Sequence, residues 1–405
     1  MRFRFKQPVP LSLLRPPLPA SAFRSLSQHS SFGIAFDIDG VILRGANPIG
    51  NSQRALRRLY NDSVAGSLKI PFLFLTNAYS LCDTRRFMLI LILGHVELSC
   101  CCFVKSHLCG GIPESRRALE LSDILGVKIL PSQVVQGHSP FKTLLKRYEN
   151  EFIVATGKGE PDVVMSEYGF KRVVSLDEYA SYFSNIDPVA QYKRWTTRQE
   201  SKCSKNSDKI IHQGYSKKVK AVFVVSDPVD WGRDIQVLCD ILTSGGIPGE
   251  KSWHQPPLYF AADDLQYQAA FPSERLGMGA FRIALESVFN RIHEKPLELT
   301  CFGKPNPLVF RNAETILGHL LQSDVRRGNG DPGPGSPSFK TLYMIGDNPL
   351  VDIKGAQQAG HPWFSILTRS GVFRQRENHT QYPADLVVDT VEDAVAFILK
   401  REDAS

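Results

Sequence analysis

The chain has 405 residues, 42% of them hydrophobic, which suits two or three domains with sizeable cores. Its net charge of +7 looks basic, but Arg2, Arg4, Lys6, Arg15 and Arg24 crowd into residues 1–31, which hold no acid; without them the formal charge is +2, and a nucleic-acid-binding class loses most of its support. No run of about eighteen apolar residues occurs, so no transmembrane helix is expected, and the eight cysteines show no zinc or disulfide spacing, which points to the reduced thiols of an intracellular enzyme.

Residues 1–31 are rich in Arg, Ser and Pro, the profile of a mitochondrial transit peptide, with Ser25-Leu26-Ser27 as a processing region. Residues 33–39 read as a buried strand with Asp37 at its exit. Ala55, Leu56, Leu59 and Tyr60 have helical spacing within 50–60, and 70–76 forms the next strand. Only one helix fits between Asp37 and Thr76, so no accessory domain is inserted there. More than two hundred residues separate Thr76 from Lys304 and must hold a second domain. In that stretch helical patterns over 138–149, 160–169 and 233–243 alternate with strand-like runs at Phe152–Thr156, Arg172–Ser175, Val219–Ser226 and Leu258–Ala261. This alternation predicts a smaller α/β domain. The Lys-rich, aperiodic stretch 191–218 reads as a long solvated loop. Asp230 and Trp231 read as a helix start. Gly277–Asn290 reads as the helix that returns the chain to the first domain. Gly277 and Gly279 lack the strand and ribose-binding acid of a dinucleotide loop, which excludes nicotinamide binding. Residues 326–338 have the composition of a flexible surface loop. The strand Leu386–Val388 and a helix over 391–400 close the fold.

The segment 79–109 fits none of this. It carries five of the eight cysteines (Cys82, Cys100, Cys101, Cys102 and Cys109) and the apolar run Phe87–Leu93. Without it, Thr76-Asn77-Ala78 would join Gly110-Gly111-Ile112-Pro113-Glu114, a glycine loop leading into a well-formed helix start. The segment reads as a translated intron or a mis-joined gene model, with a genuine insertion as the alternative.

Four short polar motifs each end an apolar run: Asp37-Ile38-Asp39-Gly40, Thr76-Asn77, Gly303-Lys304-Pro305, and Gly346-Asp347-Asn348 followed by Asp352. In an open parallel sheet, residues just past the strands' carboxyl ends converge on one crevice. The converging set is acidic, hydroxyl and amine, the inventory of Mg²⁺-assisted phosphoryl transfer. Asp37 suits a carboxylate nucleophile. Asp39 suits a general acid for the leaving oxygen and a base for the attacking water. Asp37, the Asp39 carbonyl and Asp347 suit an oxygen-only Mg²⁺ site, with Asp352 ligating, supporting a ligand, or orienting Lys304. The Thr76 hydroxyl, the Asn77 N–H and Lys304 suit the transferring oxygens. Each motif alone is an ordinary turn or cap; the ordered set is specific.

These motifs resemble those of the haloacid dehalogenase superfamily. The long insertion between the second and third motifs resembles its class IIA cap. Closer similarity, in Phe36–Gly45, Gln136-Gly137-His138-Ser139-Pro140, Asp227-Pro228-Val229-Asp230-Trp231 and Gly277–Phe281, is to the haloacid-dehalogenase-like hydrolase domain-containing 5 family, also called the cat eye syndrome critical region protein 5 family. The resemblance covers about residues 33–78 and 110–400. It implies an α/β fold: a Rossmann-like parallel-sheet core over 32–130 and 269–405 and an inserted α/β C2 cap over 131–268. It also implies Mg²⁺ dependence, a mitochondrial setting with the matrix as the expected compartment, and a small phosphorylated substrate. A homodimer through the cap is compatible with it. Ala78-Tyr79 departs from the glycine-rich loop the family carries after Thr-Asn.

Other residues carry weaker signals. His138, at the start of a cap helix, is a candidate to reach the substrate, with a structural role as the alternative. Asp263 and Asp264 stand where class IIA relatives carry an Asn-x-Asp signature; they line the entrance or cap a turn. The leading function is a Mg²⁺-dependent phosphatase of a small phosphomonoester. Asp39 argues against a dehalogenase, and no Asp-Lys-Thr-Gly follows the nucleophile as in a P-type ATPase. A phosphotransferase or phosphomutase shares the intermediate, and a mitochondrial scaffold retaining the fold is the non-enzymatic alternative. A link to glycerophospholipid metabolism rests on the mitochondrial setting and family analogy.

Overall fold

The computed structural model describes residues 32–61, 67–77, 111–193, 217–250, 252, 254–327 and 339–403. The expected transit peptide, the segment 79–109, most of the Lys-rich stretch and nearly all of the 326–338 loop lie outside those residues.

Two parallel sheets organise the chain. β1 (Phe32–Phe36) is apolar throughout and buried on both faces, as a central parallel strand requires. β2 (Leu43–Arg44) and β3 (Asn47–Pro48) form a small antiparallel hairpin just past its end. β4 (Phe72–Thr76) pairs with β1, and β5 (Val134–Gln136) pairs with β4, both in parallel. The chain then crosses at Gly137 and His138 into a second sheet, built from β6 (Phe152–Thr156), β7 (Arg172–Ser175), β8 (Ala221–Val224) and β9 (Leu258–Phe260). A hairpin of β10 (Gln266–Tyr267) and β11 (Arg275–Leu276) follows. β12 (Thr300–Cys301) adds the last edge strand of the second sheet, beside β9. The first sheet is completed by β13 (Thr341–Gly346), β14 (Trp363–Thr368) and β15 (Leu386–Val388), giving the order β15-β14-β13-β1-β4-β5. The second sheet has the order β12-β9-β8-β6-β7. β1 therefore lies between β13 and β4, so the exits of the strands bearing Asp37, Thr76 and Asp347 are neighbours.

Several expectations hold. Helices form at Ser52–Arg57, Pro161–Glu167 and Trp231–Thr243, and Asp230 caps the last by accepting from the Arg233 N–H at 3.3 Å. The boundaries of the inserted domain change. Residues 134–136 belong to the first sheet, so the insertion begins after them rather than at 131. The helix Met278–Ile292 does not return the chain to the core. Its Phe281, Leu285 and Phe289 are buried in the apolar cluster of the second sheet. With β12 also in that sheet, the crossing back comes at Gly303 and Lys304, not at 269. Helical periodicity identified this helix but not the sheet that its apolar stripe would cover.

The core of the second sheet centres on Phe223. Its ring lies 5.1 Å from Phe141, 5.6 Å from Phe170 and 5.1 Å from Tyr259, centroid to centroid. Truncation leaves a cavity that packed neighbours fill only in part. Phe223→Ala is expected to cost about 3–5 kcal/mol, read by calorimetry as an earlier unfolding of the inserted domain. A loss below about 1 kcal/mol would contradict the packing described.

Candidate active site

Asp37 leaves β1 with its N–H bonded to the Ile345 carbonyl at 2.8 Å, which ties the ends of β1 and β13 together. The chain turns at Gly40, whose φ of +87° favours glycine. A Cβ there would lie 2.3 Å from the Asp347 carboxylate, so the absence of a side chain also lets the turn approach that acid. Gly371, past the end of β14, does the same from the other side: its Cβ would meet Asp347 Oδ2 at 1.8 Å. The Val372 N–H instead donates to that oxygen at 2.6 Å, leaving Oδ1 for another partner.

Lys304 is the centre of the site. It is 1% exposed, and its ammonium donates to Asp37 Oδ1 at 2.7 Å and to Asp352 Oδ1 at 2.6 Å. Asp352 Oδ2 accepts the N–H groups of Asp347 at 3.2 Å and Asn348 at 3.0 Å. Both Asp352 oxygens are thus held by the protein, which makes it the residue that orients Lys304 and the Asp347 turn. Asn77 fixes the backbone of Lys304 from β4. Its Oδ1 accepts the Lys304 N–H at 3.1 Å, and its Nδ2 donates to the Lys304 carbonyl at 3.1 Å and to Asp264 Oδ1 at 2.8 Å. Asp39 and Thr76 line the same crevice, with Gln266, Tyr267 and Gln268 of the β10 hairpin above them. The space between is about 20 Å³, room for roughly one water molecule.

Burial is the main reason that Asp37 resists ionisation. Lys304 opposes the rise, and Asp352 and Asp347 add to it. Asp347 is pushed up to about 8, again by burial first and then by Asp352. Burial alone would lower Lys304, but Asp352 and Asp37 overcome it and hold the ammonium charged. Asp37, Asp347 and Asp352 bring carboxylate oxygens within 4.8 Å of one another. Buried acids this crowded, with one ammonium among them, fit a hard divalent cation bound through oxygen.

Residues 301–394 match the HAD-hydrolase-like family model. A mitochondrial hydrolase of Saccharomyces cerevisiae is 29% identical over 94% of this chain and 98% of its own. A cardiolipin synthase/mitochondrial hydrolase fusion protein of Schizosaccharomyces pombe is 30% identical over 95% of this chain and 57% of its own. The solved structure of a possible sugar phosphatase of the HAD superfamily from Cytophaga hutchinsonii shares the fold, with a TM-score of 0.54 at 13% identity over 91% of this chain and 96% of that one. The chain is a haloacid-dehalogenase-like hydrolase.

The hydrolase brings together Asp37, Asp39, Thr76, Asn77, Lys304, Asp347 and Asp352. Two candidates fall outside. His138 is fully buried away from the crevice. The Tyr168 hydroxyl donates to Glu114 Oε1 at 2.7 Å and lies 2.7 Å from His138 Nδ1, so Nδ1 carries the proton and donates to the tyrosine. Burial lowers His138 to about 4, leaving it neutral at pH 7. Burial would raise Glu114, but a protonated His138, then Lys142, and hydrogen bonds from Tyr168 and Ser139 bring it to about 2. With His138 neutral at pH 7, Lys142 and the two hydroxyls hold the Glu114 charge. Glu114, Ser139, Lys142 and Tyr168 line a separate cavity of about 840 Å³, and none of them lines the crevice. Asp263 pairs with Arg282 at the surface, whereas the adjacent Asp264 points inward to Asn77. Gly371 and Val372 were missed. The signal available was a Ser370-Gly371 pair just past a strand-like run, at the same sheet edge as the other motifs.

The raised Asp347 carries a linkage prediction. Its folded value of about 8 exceeds the ordinary 3.8, so without a cation the folded protein holds the extra proton. Stability from this group is then full below about pH 4 and lost as pH rises toward 8. In chelator, Asp347→Asn should overtake wild type as pH rises over this range, by an order of a few kcal/mol. Urea denaturation at each pH measures the gap. A gap that is constant or shrinks with rising pH would refute the shift.

Proposed function

We propose that the hydrolase is a Mg²⁺-dependent phosphatase of a small phosphomonoester, working through a phosphoaspartyl intermediate on Asp37. The observation that carries this is the buried Lys304 ammonium, which holds Asp37 Oδ1 at 2.7 Å beside Asp347. A carboxylate so placed is oriented, and the same ammonium offsets charge on an arriving phosphoryl group. An Asp37 oxygen attacks phosphorus, and the bond to the leaving oxygen breaks as Asp39 gives it a proton. Water then attacks the phosphoaspartate, Asp39 takes its proton, and phosphate leaves Asp37. The Thr76 hydroxyl and Asn77 N–H hold the transferring oxygens. Asp37, Asp347 and the Asp39 carbonyl would hold Mg²⁺, which supplies positive charge against the phosphoryl oxygens.

The inserted sheet is read as a class IIA cap, supported by its position between the second and third motifs. The acid-free start of the chain and the mitochondrial names of the yeast relatives support a mitochondrial location. The fusion of one relative with cardiolipin synthase supports a substrate from glycerophospholipid metabolism.

Phosphate release from a panel of small phosphomonoesters, with and without Mg²⁺, tests the chemistry. Asp37→Asn should abolish turnover, because an amide cannot attack phosphorus. Asp39→Asn should slow it by roughly 10²–10⁴, the usual contribution of general acid–base catalysis. Full activity in Asp37→Asn would sink the mechanism. N-terminal sequencing of protein recovered from mitochondria should begin near residues 25–31, and an intact Met1 there would exclude the processing proposed.

A further inference from the structure

The crevice between core and cap is narrow, and Gln266, Tyr267 and Gln268 of the β10–β11 hairpin and its connection line its cap side, so whatever fastens the hairpin bears on passage into the site. The fastening on that side of the site is unusual. Arg374 leaves the same core loop that holds Asp347, and it reaches across to the cap. Its Nη2 donates to Gln268 Oε1 and to the Pro272 carbonyl at 3.2 Å. Its Nε donates back to the Gly371 carbonyl at 2.9 Å.

Each end of this bridge is anchored in the machinery. On the cap side, Gln268 lines the crevice, is fully buried, and donates from Nε2 to the carbonyls of Ala269 and Phe271, both at 2.8 Å. One amide thus shapes the hairpin connection and accepts the arginine. On the core side, the Val372 N–H holds the Asp347 carboxylate at 2.6 Å and the Phe373 N–H holds the Asp347 carbonyl at 3.0 Å. The hairpin over the substrate space is therefore connected to the metal-binding carboxylate through four consecutive residues.

We infer that Arg374 is a clasp: a positioning residue that holds the hairpin shut over the crevice and releases it to let substrate in and phosphate out. This inference extends the phosphatase reading. The chemistry suits a reversible fastening. The Arg374 side chain is 47% exposed, so water can replace its bonds. Its ion pair with Glu274, at 3.3 Å and partly exposed, adds little. The bond to buried Gln268 carries the preference for closure, because opening the arginine alone strands a buried acceptor. Arg374 thus favours the hairpin being down and penalises a half-open state.

The clasp stabilises closure with or without ligand, so its loss should change rates of passage more than affinity. The test compares wild type, Arg374→Ala and Arg374→Lys in the full chain. Hydrogen exchange is read at 265–276 and, as a control, in β1 and β13. Phosphorus NMR reads the exchange rate of inorganic phosphate. In Arg374→Ala the hairpin amides should exchange about tenfold faster, the loss of about 1.4 kcal/mol of closure, with β1 and β13 unchanged. Phosphate should exchange faster by a similar factor with little change in its dissociation constant. Arg374→Lys, which keeps one donor, should fall between. Unchanged exchange at 265–276 in Arg374→Ala would overturn the clasp, as would faster exchange spread equally through β1 and β13. Faster hairpin exchange in a protein that binds no phosphate even as wild type would leave the clasp standing and refute the phosphatase reading instead.

Discussion

One buried ammonium sets the geometry of the site. Lys304 lies out of water between Asp37 and Asp352, and a charge so placed is stable only with partners in good geometry. Removing one partner leaves an uncompensated buried charge, whose cost far exceeds the net gain from the intact pair. The surrounding structure therefore has to place three strand ends to within a hydrogen bond. It does so through backbone contacts. β1 and β13 are joined at the Asp37 N–H, Asp352 braces the turn after β13, and Asn77 clamps both backbone polar groups of Lys304 from the end of β4.

Lys304 also stands where the chain returns from the cap, which couples domain placement to chemistry. The two crossings, at Gly137 and Gly303, pass the same spot. A Cβ on either would come within 2.3 Å of the Ala261 carbonyl. Two chain segments and a cap strand end approach this closely only without side chains. Asn77 sits against this crossing and bonds Asp264 of the cap as well as Lys304. A shift of the cap at its root would thus be transmitted to Lys304, the partner of Asp37, through a single amide.

That these candidate site residues share one crevice was legible in the sequence largely for a topological reason. Parallel strands with apolar runs buried on both faces place their exits on one edge, so Asp37, Thr76 and Asp347 could be assigned to one crevice without knowing the strand order, whereas Lys304 follows β12 of the second sheet and reaches the crevice through the crossing back. What was not legible depended on direction. Asp263 and Asp264 are identical in type and adjacent in sequence, yet one faces Arg282 and the other Asn77, and only the cap's orientation decides which. His138 follows a crossing glycine, and the sequence gives no sign that Tyr168 and Glu114 close around it. The helix Met278–Ile292 was found by its periodicity, but an apolar stripe does not name the sheet it covers. Arg374 lay in a polar stretch with no pattern, because its role comes from a contact with a residue 106 positions away.

The crevice takes its two sides from different parts of the chain. Its cap side is formed by Gln266, Tyr267 and Gln268, which belong to the inserted domain. Its carboxylates, Asp37, Asp39, Asp347 and Asp352, follow the exits of β1 and β13 in the first sheet, and Lys304 enters at the crossing between the two domains. The charged groups offered to a ligand are therefore set by the first sheet and the crossing, while the shape of the space around that ligand is set by the inserted domain.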